Sequence, residues 1–487
     1  MVLQWLSRAA RSWPDKPALV QGGRVVTYRQ WLQAADALAR QLLDGGLGPG
    51  RTVATQMGNS IECAIALAAV TRTGASNLVL DPALKAVEVS RYCQRTGASA
   101  VLWPSAAAGG MPSLGLPLFA VPAFETLLPE ARGSQAALLA DAPPASDWNV
   151  FLLLSSGTSG PPKIVPKTAA QAEAAVQVFR GTLPYRDTDR VLGVLPFFHS
   201  FGLFNVLLAS MAAGATLVLE RFSPRETADA VERHSITVLP VTPLMLRLLC
   251  ETEFHARPDF SSVRLAVSAG SALSQGVVRG MREKFGVGIA QSYGTTESGP
   301  IALARPEHPI DKPGWVGTLY AGLTVEIRDP SRAPLGPNRQ GEIAVKSPAN
   351  ASGYLDGPEA SAEAFRGEWV LTGDVGYKDD AGHLYALGRK RRMVNVAGKK
   401  VSPAEVEACL RSHPSVGEAL VFGEPTSNGT ERVKAMVVLT GQASERQIQE
   451  YCAARLADFK IPRQIVFVED LAGGPMGKPQ DTKQVGL

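Results

Sequence analysis

The stretch Val150-Phe151-Leu152-Leu153-Leu154 runs straight into Ser155-Ser156-Gly157-Thr158-Ser159-Gly160-Pro161-Pro162-Lys163, and residues 169–179 follow. The apolar run reads as a short buried strand, and 169–179 has helical composition and spacing. A strand that ends in a loop of glycines and small hydroxyls suits a phosphate. Glycine lets the backbone approach closely, hydroxyls and free N–H groups donate hydrogen bonds, and Lys163 adds charge. A polar surface turn has the same composition, so the loop alone does not decide its role. The Walker spacing G-x-x-x-x-G-K-[ST] occurs neither here nor at Gly474-Pro475-Met476-Gly477-Lys478.

With 487 residues the chain is long enough for two or more domains. Its 49 basic and 45 acidic residues leave a net charge of +4, which gives no global electrostatic case for nucleic acid or a membrane surface. Cys63, Cys93, Cys250, Cys409 and Cys452 are scattered without a C-x-x-C pair, the pattern of a reduced intracellular protein without a structural zinc site. Residues 1–15 are too polar for a secretory apolar region, and no apolar run approaches membrane-spanning length. The expectation is a soluble, cytoplasmic protein.

Outward from the anchor, apolar runs alternate with amphipathic ones. Helical spacing marks 30–43, 60–72, 87–96, 203–212, 226–234 and 244–250, and short apolar strands mark 53–56, 98–103, 191–195, 216–219, 237–239 and 263–268. Residues 106–116 and 142–146 read as loops. Strands alternating with helices predict an α/β domain with doubly wound, mostly parallel sheets. After Gly314 the texture changes to short strands at 325–328, 342–346 and 369–372, a β-rich subdomain. Gly388-Arg389-Lys390-Arg391-Arg392 is a charge run that reads as a linker. Beyond it, helices at 402–410 and 445–456 and strands at 419–422, 433–439 and 464–468 make a small α+β unit. The domains are therefore expected at 1–388 and 389–487.

Further blocks stand in a fixed order. They are Leu195-Pro196-Phe197-Phe198-His199-Ser200-Phe201-Gly202, Ser268-Ala269-Gly270-Ser271-Ala272-Leu273-Ser274 and Gln291-Ser292-Tyr293-Gly294-Thr295-Thr296-Glu297. Then come Gly353-Tyr354, Leu371-Thr372-Gly373-Asp374, Gly388-Arg389, the 396–407 stretch with Gly398-Lys399-Lys400, and Gly477-Lys478. Each has a plainer reading: a packed core histidine, a glycine turn, an Asp turn, a solvated basic face, a frayed tail.

Together with the anchor loop, these blocks resemble the adenylate-forming superfamily of acyl- and aryl-CoA synthetases, peptide-synthetase adenylation domains and firefly luciferase. The resemblance covers nearly the whole length. It implies a large N-terminal domain and a small mobile C-terminal domain. It also implies that Ser155, Ser156, Gly157, Thr158, Ser159, Gly160 and Lys163 bind the phosphates of ATP. His199 is implied beside the acyl carboxylate, and Gly270 and Ser271 in the adenine and acyl pocket. In the block with Ser292, Gly294 and Thr295, Tyr293 can stack on a purine and Thr296 can donate to the α-phosphate. Glu297 supplies a hard oxygen for Mg2+, which binds through few carboxylates plus phosphate. Asp374 is implied on the ribose, where one carboxylate can accept from two hydroxyls, with Arg389 nearby. Gly398 and Lys399 lie on a loop implied to enter for the second half-reaction, and Lys478 is implied to bridge carboxylate and α-phosphate in the first.

The implied reaction makes acyl-AMP from a carboxylic acid and then transfers the acyl group to the thiol of coenzyme A. A phosphopantetheine carrier protein is the alternative acceptor, and an idle nucleotide- or acid-binding module is the alternative of another class. Retention of Lys163, Glu297, Asp374, Arg389 and Lys478 argues against the idle module. No aspartate stands near His199 to pair with a substrate ammonium, which disfavours an α-amino acid and favours an aromatic or aliphatic one. Arg391 at the hinge, and Met476 and Pro479 around Lys478, depart from the family pattern.

Overall fold

The computed structural model describes residues 2–84, 86–105, 115–130, 147–155, 163–307, 314–390, 394–396, 399–401, 403–426, 431–456, 458–469 and 471. The anchor run becomes the strand Asn149–Leu154, which pairs in parallel with Ser76–Leu80 and antiparallel with Ile164–Thr168. Ile164–Thr168 was not foreseen, because I-V-P-K-T carries a proline and a lysine. It is the terminal strand of a six-stranded sheet, and an edge is where a strand tolerates proline. From the other edge inward, that sheet runs Leu118–Val121, Ala98–Pro104, Thr52–Gln56, Ser76–Leu80 and Asn149–Leu154, all parallel.

A second, fourteen-stranded sheet has a parallel stretch of Pro17–Gln21, Thr216–Val218, Arg190–Leu192, Val238–Val241, Leu265–Ser268 and Ile289–Thr295. The expected β-rich region does not stand apart. Gly299–Ala304 folds back antiparallel on Ile289–Thr295, and Trp315–Leu319, Leu384–Arg389, Trp369–Lys378, Gly341–Lys346 and Thr324–Arg328 extend the same sheet. Gly388 and Arg389, expected in a linker, therefore lie inside a sheet strand.

The largest core gathers residues of both sheets with the helices Tyr28–Asp44, Ile61–Thr73 and Ala169–Thr182. Ile61–Thr73 is buried nearly all round, as its A-I-A-L-A-A-V run requires between two layers. Ser60 caps it, and Thr168 with Gln171 closes a capping box on Ala169–Thr182. A separate core of Val406, Leu410, Val421, Val437, Ile448 and Cys452 belongs to the C-terminal unit, where Val416–Pro425, Glu431–Leu439 and Gln464–Phe467 form a three-stranded sheet. Arg247, on the helix Pro243–Glu251, reaches Glu418 of that unit at 2.7 Å.

The helix expected over 203–212 is a wide π-helical segment, Phe201–Leu208, continued by an α-helix, Ala209–Ala213. Its first turn presses against the preceding loop: a Cβ on Gly202 would sit 2.0 Å from the Pro196 carbonyl oxygen. Gly202→Ala is therefore expected to destabilise the large domain by roughly 1–3 kcal/mol, the usual cost of overpacking. A lowered midpoint in urea unfolding, measured against wild type, checks this.

Candidate active site

Parallel strands present ligand sites at their C-terminal ends. Val241, Ser268 and Gln291 stand in one cross-strand row there, and the chain continues from each into the segments singled out above. Ser268 and Gln291 are buried, whereas Gly270, with φ of 101°, and Ser271 are exposed beyond the strand end.

The segment from Ser292 to Glu297 carries most of the cluster. Ser292 Oγ accepts from Tyr320 OH at 3.0 Å. Tyr293 OH donates to Asp374 Oδ2 at 2.6 Å, and Arg389 Nε lies 2.9 Å from Asp374 Oδ1. Arg389 Nη1 also donates to the Thr372 carbonyl at 2.8 Å, which fixes the fork of the guanidinium over the T-G-D turn. Burial first, and then the Asp374 charge, push the Tyr293 hydroxyl well above its ordinary pKa, so it stays a donor. Thr295 Oγ1 accepts from Ser298 N at 3.0 Å, and Thr296 Oγ1 lies 3.5 Å from Ser200 Oγ. Gly294 sits against the returning strand: a Cβ there would meet the Gly299 oxygen at 2.4 Å.

Glu297 Oε1 accepts from Tyr354 OH at 3.0 Å, and among the described residues no basic group pairs with this carboxylate. A carboxylate has more lone pairs than that one bond uses, so the donor fits magnesium held by one carboxylate with phosphate oxygens. Among the described residues no cluster of three or more His, Cys, Asp and Glu forms.

The base of the anchor loop is a closed pair. Ser155 N donates to the Lys163 carbonyl at 2.8 Å, and Lys163 N donates to Ser155 Oγ at 3.2 Å. Lys163 Nζ lies 4.4 Å over the Tyr354 ring, and Leu355 N donates to the Ile164 carbonyl at 2.9 Å. The loop therefore begins and ends beside the residue that touches Glu297. Ser156, Gly157, Thr158, Ser159 and Gly160 lie outside the described residues, as do Gly398 and Lys478. Lys399 opens the strand Lys399–Val401, paired with Val394–Val396. In the basic run, Arg389 is engaged with Asp374, and Lys390 Nζ bonds Glu342 at 2.8 Å. Those two are not a bare charged surface.

Three residues escaped the sequence reading. Asn59 Nδ2 donates to the carbonyls of Gly193 and Leu195 at 3.1 and 2.7 Å, and its Oδ1 accepts from Phe197 N at 3.0 Å. That side chain holds the segment bearing His199, whose ring packs 4.5 Å from Phe198. Tyr354 was noted only as part of a G-Y block. Lys167 is fully buried, with Nζ donating to the carbonyls of Glu297 and Ala349. A single asparagine or lysine bonding distant main chain leaves no periodic trace in sequence.

Residues 6–355 match the AMP-binding enzyme family, and 405–478 match the AMP-binding enzyme C-terminal domain. A 2-succinylbenzoate–CoA ligase of Geobacillus kaustophilus is 32% identical over 478 residues, covering 96% of this chain and 94% of that protein. O-succinylbenzoate coenzyme A synthetase (MenE) from Bacillus subtilis, solved with ATP and magnesium ion, superposes with a TM-score of 0.87 at 28% identity, covering 98% of each chain. ATP-bound MatB from Rhodopseudomonas palustris gives 0.90 at 26% identity, covering 100% of this chain and 98% of that one.

Asn59→Ala strips three hydrogen bonds from the His199 segment and leaves buried main-chain groups unpaired, at a cost on the order of 1–3 kcal/mol. A reduced unfolding midpoint together with lowered turnover is the expected outcome. Burial pulls Lys167 from 10.5 to about 7 despite the Glu297 charge. The unfolded chain then binds more protons than the folded one between those values. The lysine's contribution is favourable above the unfolded value and is lost as pH falls toward 7. The stability difference between wild type and Lys167→Met should therefore move in favour of wild type, by a few kcal/mol, from pH 7 to pH 10 in denaturant titrations.

Proposed function

We propose that this chain, which belongs to the AMP-binding enzyme family, activates a carboxylic acid with ATP and passes the acyl group to the thiol of coenzyme A. It is an AMP-forming acid–thiol ligase of the acyl- and aryl-CoA synthetase kind. The observation that carries the site assignment is the single turn of chain that puts Tyr293 on Asp374 and Arg389, and Glu297 on Tyr354 beside Lys163.

In the first step the acid's carboxylate attacks the α-phosphorus of ATP, and pyrophosphate leaves. Carboxylate and polyphosphate repel each other, so the site must supply positive charge and donors where charge builds at phosphorus. We assign the phosphates to Ser155 through Gly160 and Lys163, and the α-phosphate to Thr296 and Lys478. The ribose hydroxyls fall to Asp374 with Arg389, and the adenine to Tyr293 with Gly270 and Ser271. His199 is placed beside the acid. When bound on Glu297, magnesium would neutralise phosphate charge. In the second step the thiol attacks the mixed anhydride and AMP departs. We read the unit that follows the Leu384–Arg389 strand as a lid that rotates between steps, withdrawing Lys478 and bringing Gly398 and Lys399 inward.

The lack of an aspartate near His199 to pair with an ammonium supports an aromatic or aliphatic acid over an α-amino acid. Its substrates ATP and coenzyme A are those of the cytoplasm, where we place the enzyme. Among the described residues no helix is long and apolar enough to cross a membrane.

Pyrophosphate release across a panel of aryl and fatty acids, with and without coenzyme A, tests this reading. Release that requires one acid class, rises with coenzyme A and yields acyl-CoA by mass is expected. Release stalling near one equivalent despite coenzyme A would move the acceptor to a carrier protein. Glu297→Gln and Lys478→Ala should each lower the adenylation rate by about 100-fold or more, as removing transition-state charge stabilisation does elsewhere. Tyr293→Phe frees one oxygen of Asp374 and should alter the KM for ATP several-fold with little change in the KM for acid.

A further inference from the structure

Lys167 has 0% exposure on an edge strand, and Nζ donates to two main-chain carbonyls, Glu297 at 2.7 Å and Ala349 at 2.6 Å. The Glu297 carbonyl also accepts from Ala351 N at 2.8 Å, so one oxygen ties three segments together. Those segments are the strand after the anchor loop, the turn bearing the Glu297 carboxylate and the 347–355 loop that leads to Tyr354. Tyr354 OH closes the circuit on Glu297 Oε1, with Lys163 over its ring. Burying an amino group is costly, and a methionine or leucine would fill the same space without that cost. What the amino group adds is direction: it aims two N–H donors at fixed points of the main chain, which an apolar side chain cannot do.

We propose that Lys167 is a positioning residue for adenylation, clamping the Glu297 and Ala349 carbonyls to the strand that leaves the phosphate loop and so setting the Glu297 carboxylate relative to that loop. This rests on the assignment of Glu297 to magnesium and the phosphates. Lys167 itself touches neither ATP nor acid.

Acid-dependent ATP–pyrophosphate exchange and ATP affinity by calorimetry, each with and without magnesium, test it on wild type, Lys167→Met, Glu297→Gln and the double variant. Lys167→Met should lower kcat by 10–100-fold with the KM for acid unchanged within twofold. The gain in ATP affinity on adding magnesium should fall, as in Glu297→Gln. Residues acting through one another are non-additive, so the double variant should be no worse than Glu297→Gln alone. Lys167→Arg, which keeps charge and donors, should recover most of the magnesium response. If Lys167→Met does not fold, Lys167→Gln takes its place under the same criteria. A kcat within twofold of wild type, an unchanged magnesium response, or losses that multiply in the double variant would overturn the proposal. Wild type lacking acid-dependent exchange would instead sink the ligase reading, which is a separate result.

Discussion

One close approach of backbone to backbone organises this molecule. At Gly294 the strand Ile289–Thr295 meets its antiparallel return at Gly299 so tightly that a side chain on Gly294 would overlap the Gly299 carbonyl oxygen. Parallel strands end their run there, and everything beyond pairs antiparallel. The reversal also gathers Tyr293, Thr296 and Glu297 at the sheet's end, each side chain against a different partner. Tyr293 goes to Asp374, Thr296 to Ser200 and Glu297 to Tyr354. The site is thus assembled from hydrogen bonds that cross between elements far apart in sequence. The sheet supplies the rigidity those bonds need.

The parts of this that a reader of sequence can reach are those with a local cause. Apolar runs and helical spacing mark the strands and helices of both sheets, because burial between layers demands them. The glycine- and hydroxyl-rich loop, Tyr293 through Glu297 and Asp374 announce themselves by dense, unusual local composition. Lys167 and Asn59 do not, since each acts on main chain more than a hundred residues away and any neighbouring sequence would look the same. The Ile164–Thr168 strand carries a proline and a lysine that disguise it, and its edge position tolerates the proline. The π-helical segment at Phe201–Leu208 has the composition of an ordinary helix, and periodicity does not foretell its widening.

The electrostatics are divided by burial. Buried Asp374 and half-buried Arg389 and Tyr293 form a compact set in which the Asp374 and Arg389 charges offset each other. Glu297 accepts from the neutral Tyr354 hydroxyl, and Lys167 Nζ bonds the Glu297 main-chain carbonyl rather than its carboxylate.

The Arg247–Glu418 pair has a further consequence for how the two units of the chain share a cycle. Both side chains remain about one-third exposed, so the contact is worth little more than ~0–1 kcal/mol in water. A bond of that strength records one docking pose without trapping it. Rising ionic strength would weaken this contact between the two units further.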